Sequence, residues 1–241
     1  MSTSRSTPPR TTSAARGARA RAREEVTAAI KDEARRQLAE DGAAKLSLRA
    51  VARELGMVSS ALYRYFPSRD DLLTALIIDA YDALGEAAEH ADLGFVRTSS
   101  ATERWTAVCG AVRDWALKYP HEYALIYGSP VPGYTAPDST VRAASRVGLL
   151  LMGIVRDAHV GGGVTPPPLS DALRPEAERL AADLAPDLPP AVVAALVATW
   201  AQLFGLVGFE LFGQFNRVVE DRSPFFAHAV ERLAVGVGLT V

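Results

Sequence analysis

The stretch Ser47-Leu-Arg-Ala-Val-Ala-Arg-Glu-Leu-Gly-Met-Val-Ser-Ser-Ala-Leu-Tyr-Arg-Tyr-Phe66 reads as two short helices joined by a tight turn. Ser47 is a good N-cap, because its hydroxyl can accept an orphan backbone N–H. Leu48, Val51, Ala52 and Leu55 then fall at i, i+3, i+4 and i+7, one apolar stripe. Gly56 follows at once, where a chain leaving a helix often needs a left-handed residue. Met57 can plug the corner. Ser59 or Ser60 can cap the second helix, whose Leu62 and Phe66 face inward. Pro67 limits that helix, since the residue before proline is biased out of the helical region.

Ser59, Ser60, Ala61, Tyr63, Arg64 and Tyr65 remain outside on the second helix. That surface is small at its start, then hydroxylated and basic. Small residues let a helix sit deep in the major groove, while tyrosine hydroxyls and arginines reach phosphates. This is helix-turn-helix geometry, with the second helix as the reader. A plain helical hairpin inside a core has the same apolar spacing.

The run Leu46–Ala52, the run Leu62-Tyr-Arg-Tyr-Phe66 and the entry Pro67-Ser-Arg-Asp-Asp-Leu-Leu73 follow a helix ending near Gly42. Together they closely resemble the DNA-binding domain of TetR-family transcriptional regulators, over about residues 24–75. The resemblance implies that Arg49 reaches a base or phosphate. It places Ser59, Ser60 and Ala61 at the groove floor and Tyr63, Tyr65 and Arg69 on the DNA backbone. It further implies a helical ligand-binding and dimer domain. Tyr123–Pro137 resembles the WHG type of that second domain.

Charge is unevenly placed. The net charge is −2, yet residues 1–70 hold 14 Lys and Arg against 8 Asp and Glu, and residues 71–241 hold 12 against 20. A basic front and an acidic back suit a protein that offers one end to phosphate. The single Cys109 excludes an internal disulfide and a cysteine zinc site. No apolar run is read as long and uncharged enough to span a membrane, so no membrane partner is expected. A cytoplasmic location fits.

Residues 1–23 carry six arginines and no acid, and their composition is that of a disordered basic tail. Arg16, Arg19 and Arg23 stand at i, i+3 and i+7, so a helical extension would align them as a basic arm. Residues 24–70 form the helix-turn-helix domain, and 71–241 the ligand-binding and dimerisation domain. The first helix is expected over Glu24–Glu40. A long helix runs from Arg69 to about Ala91 and offers a mechanical link to the reading helices. Helices then follow over Ala101–Tyr119, His121–Tyr127, Asp138–Val160, Pro175–Leu184, Ala191–Asn216 and Pro224–Gly236. Gly161–Pro168 reads as a flexible linker stiffened by its prolines. No convincing strand appears, and the fold class is all-α.

Catalytic signatures are missing: no phosphate-cradling Gly-Lys-Ser/Thr loop, no G-x-S-x-G and no H-E-x-x-H occurs. The four histidines show no ligand spacing, so neither a metal nor a cofactor is expected. Cys109 reads as a buried inert thiol. Trp105, Cys109 and Val112 share a face of one helix, and Tyr123, Ile126 and Tyr127 a face of the next. Leu151 and Val155 share a face of a third. Where these faces meet they make either a packed core or a cavity. The candidate effector pocket is therefore Trp105, Cys109, Trp115, Tyr123, Tyr127, Leu151 and Val155, with the Pro- and Gly-dense loop after Gly128 as lid. No charge converges there, which predicts an uncharged, lipophilic ligand.

The expected protein is a regulator rather than an enzyme. It is a homodimer through 191–216 and 224–236 that holds a near-palindromic double-stranded operator until a small-molecule effector releases it. The alternatives are a helical-bundle enzyme or carrier with an accessory helix-turn-helix, and a ligand-independent DNA binder.

Overall fold

The computed structural model describes residues 11–95 and 100–240. Eleven α-helices account for the described residues, with one isolated antiparallel bridge between Val164 and Leu239 and no sheet. The chain divides into two compact units, Met1–Leu76 and Ile77–Val241.

The first unit holds α1 (Thr11–Asp41), α2 (Leu48–Glu54), α3 (Ser59–Leu62) and the start of α4 (Arg69–Leu93). Ile30, Ala34 and Leu38 of α1 are buried with Leu48, Val51 and Ala52 of α2, Leu62, Phe66, and Leu72, Leu73 and Leu76 of α4. Each such side chain contributes roughly 1.5–3 kcal/mol when fully removed from water. The sequence predicts α1 from Glu24, but it already runs from Thr11. Alanine and arginine are among the strongest helix formers, so residues 11–23 are helical without a core to bury. Residues 1–10 of the expected tail lie outside the described residues.

The second unit is built on α5 (Ala101–Lys118), whose buried Trp105, Val108, Cys109 and Val112 form one face. Ser100 and Glu103 close a capping box at its start. Pro120 opens α6 (Pro120–Tyr127). The expected helix over Asp138–Val160 is instead broken: a 3-10 turn at Asp138–Thr140, then α7 (Val141–Ala144) and α8 (Arg146–Val160). Next come α9 (Arg174–Leu184), α10 (Pro190–Leu211) and α11 (Arg222–Gly236). α5 packs on α8, α10 and α11, and α9 lies along α10.

Three further expectations change. Gly161–Pro168 is pinned rather than free: Thr165 N–H donates to Gly238 C=O and Thr240 N–H to Gly163 C=O. Gly238 has φ +95°, and a Cβ there would meet Thr165 C=O at 2.2 Å, so only glycine fits. The linker's composition could not show this, because its partner is the C-terminus. Second, α10 is long and apolar enough to cross a membrane by composition, so the expectation that no run reaches that length does not hold. Here Val192, Val193, Leu196, Leu203, Phe204 and Val207 of α10 are buried in the protein core. Third, α10 ends at Leu211, and the chain leaves it through Gly213 at φ +84°.

Candidate nucleic-acid interface

α2 begins on the predicted cap: Ser47 Oγ accepts Ala50 N–H at 3.4 Å. It ends at Glu54, and the chain turns away through Gly56 at φ +64°. α3 differs slightly from expectation. Its N-cap is Val58, without a side-chain cap, and Ser59 and Ser60 are its first helical residues. Regular helix stops at Leu62, but Phe66 N–H still reaches Leu62 C=O at 3.1 Å, so helical curl carries on to Phe66.

Arg49 stands exposed on the first turn of α2. Ser60 and Tyr63 are exposed; Ser59, Ala61 and Tyr65 are half-buried. Tyr65 is braced, because the Arg23 guanidinium lies 5.0 Å from its ring centroid and also donates to Arg64 C=O at 3.2 Å. The N-terminal extension of α1 thus fixes the end of the reading helix. Composition alone offered Arg23 only as part of a basic arm.

Arg69 also has partners within its own chain. Its guanidinium donates to Ala43 C=O at 3.0 Å and Ala44 C=O at 3.4 Å. These carbonyls lie in the short turn after α1 and need donors, so one terminal nitrogen of Arg69 ties α4 to that turn. Conversely Val58, which the sequence reading passed over, is 70% exposed at the tip of the turn. An exposed valine beside a reading helix suits apolar contact with a thymine methyl. The signal was present in sequence: an apolar residue between Met57 and Ser59 with no inward partner in either stripe.

The second unit holds a cavity of about 750 Å³. Ile77 and Tyr81 of α4 form one wall, and Gly148, Leu151 and Met152 of α8 another. Leu196, Val197 and Trp200 of α10 close a third, with Leu180 and Leu184 of α9. The loop from Gly128 to Thr140 covers it, as the position of its prolines and glycines suggested. No lining residue is charged.

Of the seven predicted pocket residues, Leu151 alone lines this cavity. Trp105, Cys109, Trp115, Tyr123 and Val155 are buried core instead. Their faces meet one another and α11, and fill the space. Tyr123 Oη donates to Phe204 C=O at 2.8 Å, locking α6 to α10. Tyr127 stacks on Phe204 at 4.0 Å and meets Tyr81 edge-on at 5.8 Å, so it backs the wall without forming it. Burial pushes the Tyr81, Tyr123 and Tyr127 phenols up, so all three stay neutral. Burial likewise pushes the Cys109 thiol up, which makes it a poor nucleophile.

α4 and α8 are clamped beside the cavity. Arg146 donates to Asp82 at 2.9 Å and, through Nε and a terminal nitrogen, to both oxygens of Glu89 at 2.9 and 2.7 Å. Gly85 makes the seat: a Cβ there would lie 2.7–2.8 Å from Arg146 atoms, including its Cβ.

Comparison with known proteins agrees with both units. Residues 30–76 match the family described as bacterial regulatory proteins, tetR family, and residues 105–233 match the tetracyclin repressor-like C-terminal domain. The HTH-type transcriptional regulator Rv1816 of Mycobacterium tuberculosis is 41% identical, over 92% of this chain and 95% of its own. The solved structure of the regulatory protein SCO4313 is similar at TM-score 0.71 and 33% identity, over 88% of this chain and 97% of that one. A regulatory protein in the tetR family from Rhodococcus RHA1 shares the fold at TM-score 0.61 and 17% identity, over 89% and 98% of the two chains. A helix-turn-helix with exposed reading residues, on an all-helical chain 41% identical to such a regulator, is thereby placed: the chain belongs to the TetR family of DNA-binding transcriptional regulators.

Proposed function

We propose that this regulator is a cytoplasmic homodimeric repressor, released from a near-palindromic operator by a small uncharged effector bound in the 750 Å³ cavity. One observation carries the effector reading. Ile77 and Tyr81 in the cavity wall belong to α4, the helix that begins in the DNA-binding unit at Arg69. A ligand that displaces this wall acts on an element common to both units. Differential affinity of tenfold between the two states supplies only ~1.4 kcal/mol, so useful release needs more than that.

The dimer reading rests on α10 and α11. Phe209 of α10, Phe212 just past its end, and Phe225 and Val235 of α11 are each more than two-fifths exposed. Phe215 joins Phe209 to Phe225 through edge contacts of 5.7 and 5.5 Å, giving one aromatic patch. A contiguous patch of this kind marks an interaction surface. Gly205 lies on the same exposed side, and a Cβ there would meet nothing within 4 Å. Its smallness serves nothing in its own chain and suits close approach of a partner helix. Gly208 and Gly213 have other work: Gly208 is buried near the Tyr123 hydroxyl, and Gly213 turns the chain.

On DNA, Arg49→Ala is expected to weaken operator binding and relax specificity, by ~1–3 kcal/mol for a bidentate guanine contact. Tyr63→Ala should weaken binding to all sequences alike. Gel-shift titration on a DNA selected from a random pool reads both; unchanged affinity in the pair removes the assignment.

Gly148→Leu tests the cavity. Gly148 lines it from the first turn of α8, and its Cβ direction is open space. Leucine there projects into the cavity and narrows it without overpacking. The variant should fold and bind operator yet ignore effectors found by screening uncharged aromatic compounds for operator release. A variant still released by them places the effector elsewhere.

A further inference from the structure

The cavity wall is unusual in its hydrogen-bonding inventory. Three of its hydroxyls have already given their proton to main-chain carbonyls. Thr140 donates to Pro137 C=O at 2.8 Å, Ser145 to Val141 C=O at 2.7 Å, and Tyr81 to Ile126 C=O at 3.3 Å. A hydroxyl has one proton and two lone pairs, so each oxygen has only acceptor capacity left. The loop over the cavity loses donors in the same way. Pro130, Pro132 and Pro137 have no N–H but keep their carbonyls. Gly128 N–H is taken by Ala124 C=O, and Tyr134 N–H by Val131 C=O. Against this stand the Trp200 indole N–H, the Ser129 and Tyr134 hydroxyls and the main-chain N–H groups of Ser129, Val131 and Ala136 as donors among the lining residues. No Lys or Arg lines the cavity to neutralise an anion, and no Asp or Glu to hold a cation.

We propose that the effector is a neutral, ring-based compound carrying a hydroxyl donor, received by the oxygens of Thr140, Ser145 and Tyr81. Two chemistries are disfavoured by the same wall. A carboxylate would be desolvated with no cation to meet it. A purely hydrocarbon or ether ligand would cover these three oxygens without offering any of them a donor, which leaves their acceptor capacity unused. The inference rests on the cavity being the effector site, and adds to it the polarity of the ligand.

The test uses the full-length protein and three fluorescent probes of one shape: 1-hydroxypyrene, 1-methoxypyrene and pyrene-1-carboxylate. Binding is followed by pyrene emission at neutral pH. The hydroxyl probe is expected to bind about three- to tenfold more tightly than the methoxy probe, the range of one neutral hydrogen bond. The carboxylate should be weakest. In Thr140→Val/Ser145→Ala the advantage of the hydroxyl probe should shrink to within about twofold. The double variant frees no carbonyl, because Pro137 C=O also accepts Thr140 N–H and Val141 C=O also accepts Ser145 N–H. Equal affinity of the hydroxyl and methoxy probes for the unaltered protein overturns the donor inference and leaves the cavity reading standing. An advantage that persists in the double variant overturns the assignment to these oxygens. Tightest binding by the carboxylate overturns the inference outright. Gly148→Leu separates the two readings: probes that bind it as tightly as they bind the unaltered protein, or bind neither, overturn the cavity reading and this inference together.

Discussion

Phe209→Glu is expected to leave a folded monomer that no longer holds its operator. Phe209 is 53% exposed on α10, so the substitution removes little from the monomer's own core. In the dimer proposed above the same position would be covered, and a carboxylate there would be desolvated without a partner. An uncompensated buried charge costs about 3–5 kcal/mol, which corresponds to a dissociation constant raised by about a hundredfold to a few thousandfold. Operator affinity then falls with it, because two linked reading heads gain about 10²–10⁴ over one. Sedimentation at micromolar concentration and a gel shift on the selected operator read the two effects. Helical circular dichroism should be unchanged. A variant that sediments as a dimer and shifts the operator normally removes α10 from the interface.

Glu210→Ala, one residue further on, should act in the opposite manner, through folding. Glu210 points into the second unit, where both its oxygens accept Arg113 at 2.7 Å. Arg113 also lies over Phe226, 5.3 Å from its ring centroid, and reaches Ser223 at 3.4 Å. The pair therefore holds α5, α10 and α11 together behind the exposed aromatic patch. The two side chains are only 13% and 6% exposed. Removing Glu210 strands the guanidinium, and about 3 kcal/mol of stability is expected to go, the low end for a buried pair because Arg113 keeps some water. Thermal unfolding should fall by roughly 6–12 °C for a chain of this size. Arg113→Met/Glu210→Met replaces both partners by apolar groups and should recover most of the loss. A double variant as unstable as Glu210→Ala would show that packing around the pair, not the stranded charge, sets the cost.

Much of the fold was legible because it is local. Ser47 as cap, the Leu48–Leu55 stripe and Gly56 at the turn are decided within one or two helical turns, and the structure places all three as read. The C-terminal helices were likewise legible from their periodicity, to within a few residues at most ends. Residues 11–23 differ for a related reason. Their want of apolar residues suggests disorder, but their alanine and arginine content favours helix independently of any core.

What the sequence could not decide was the fate of each inward face. Periodicity shows that Trp105, Cys109 and Val155 point inward, but not whether they meet side chains or space. They meet side chains, and the space lies instead against α4 and α10. Arg69 shows the same limit. Its partners at Ala43 and Ala44 lie 26 and 25 residues away, and only the fold brings those carbonyls within reach. Gly85 and Arg146 are further apart in sequence, yet one is glycine because the other is there. The sequence by itself determined the helices, the helix-turn-helix and the family, since these depend on neighbours a few residues apart. Tertiary structure decided the cavity, the clamp and the work of Arg69, since these depend on which distant groups compete for the same volume and the same hydrogen bonds.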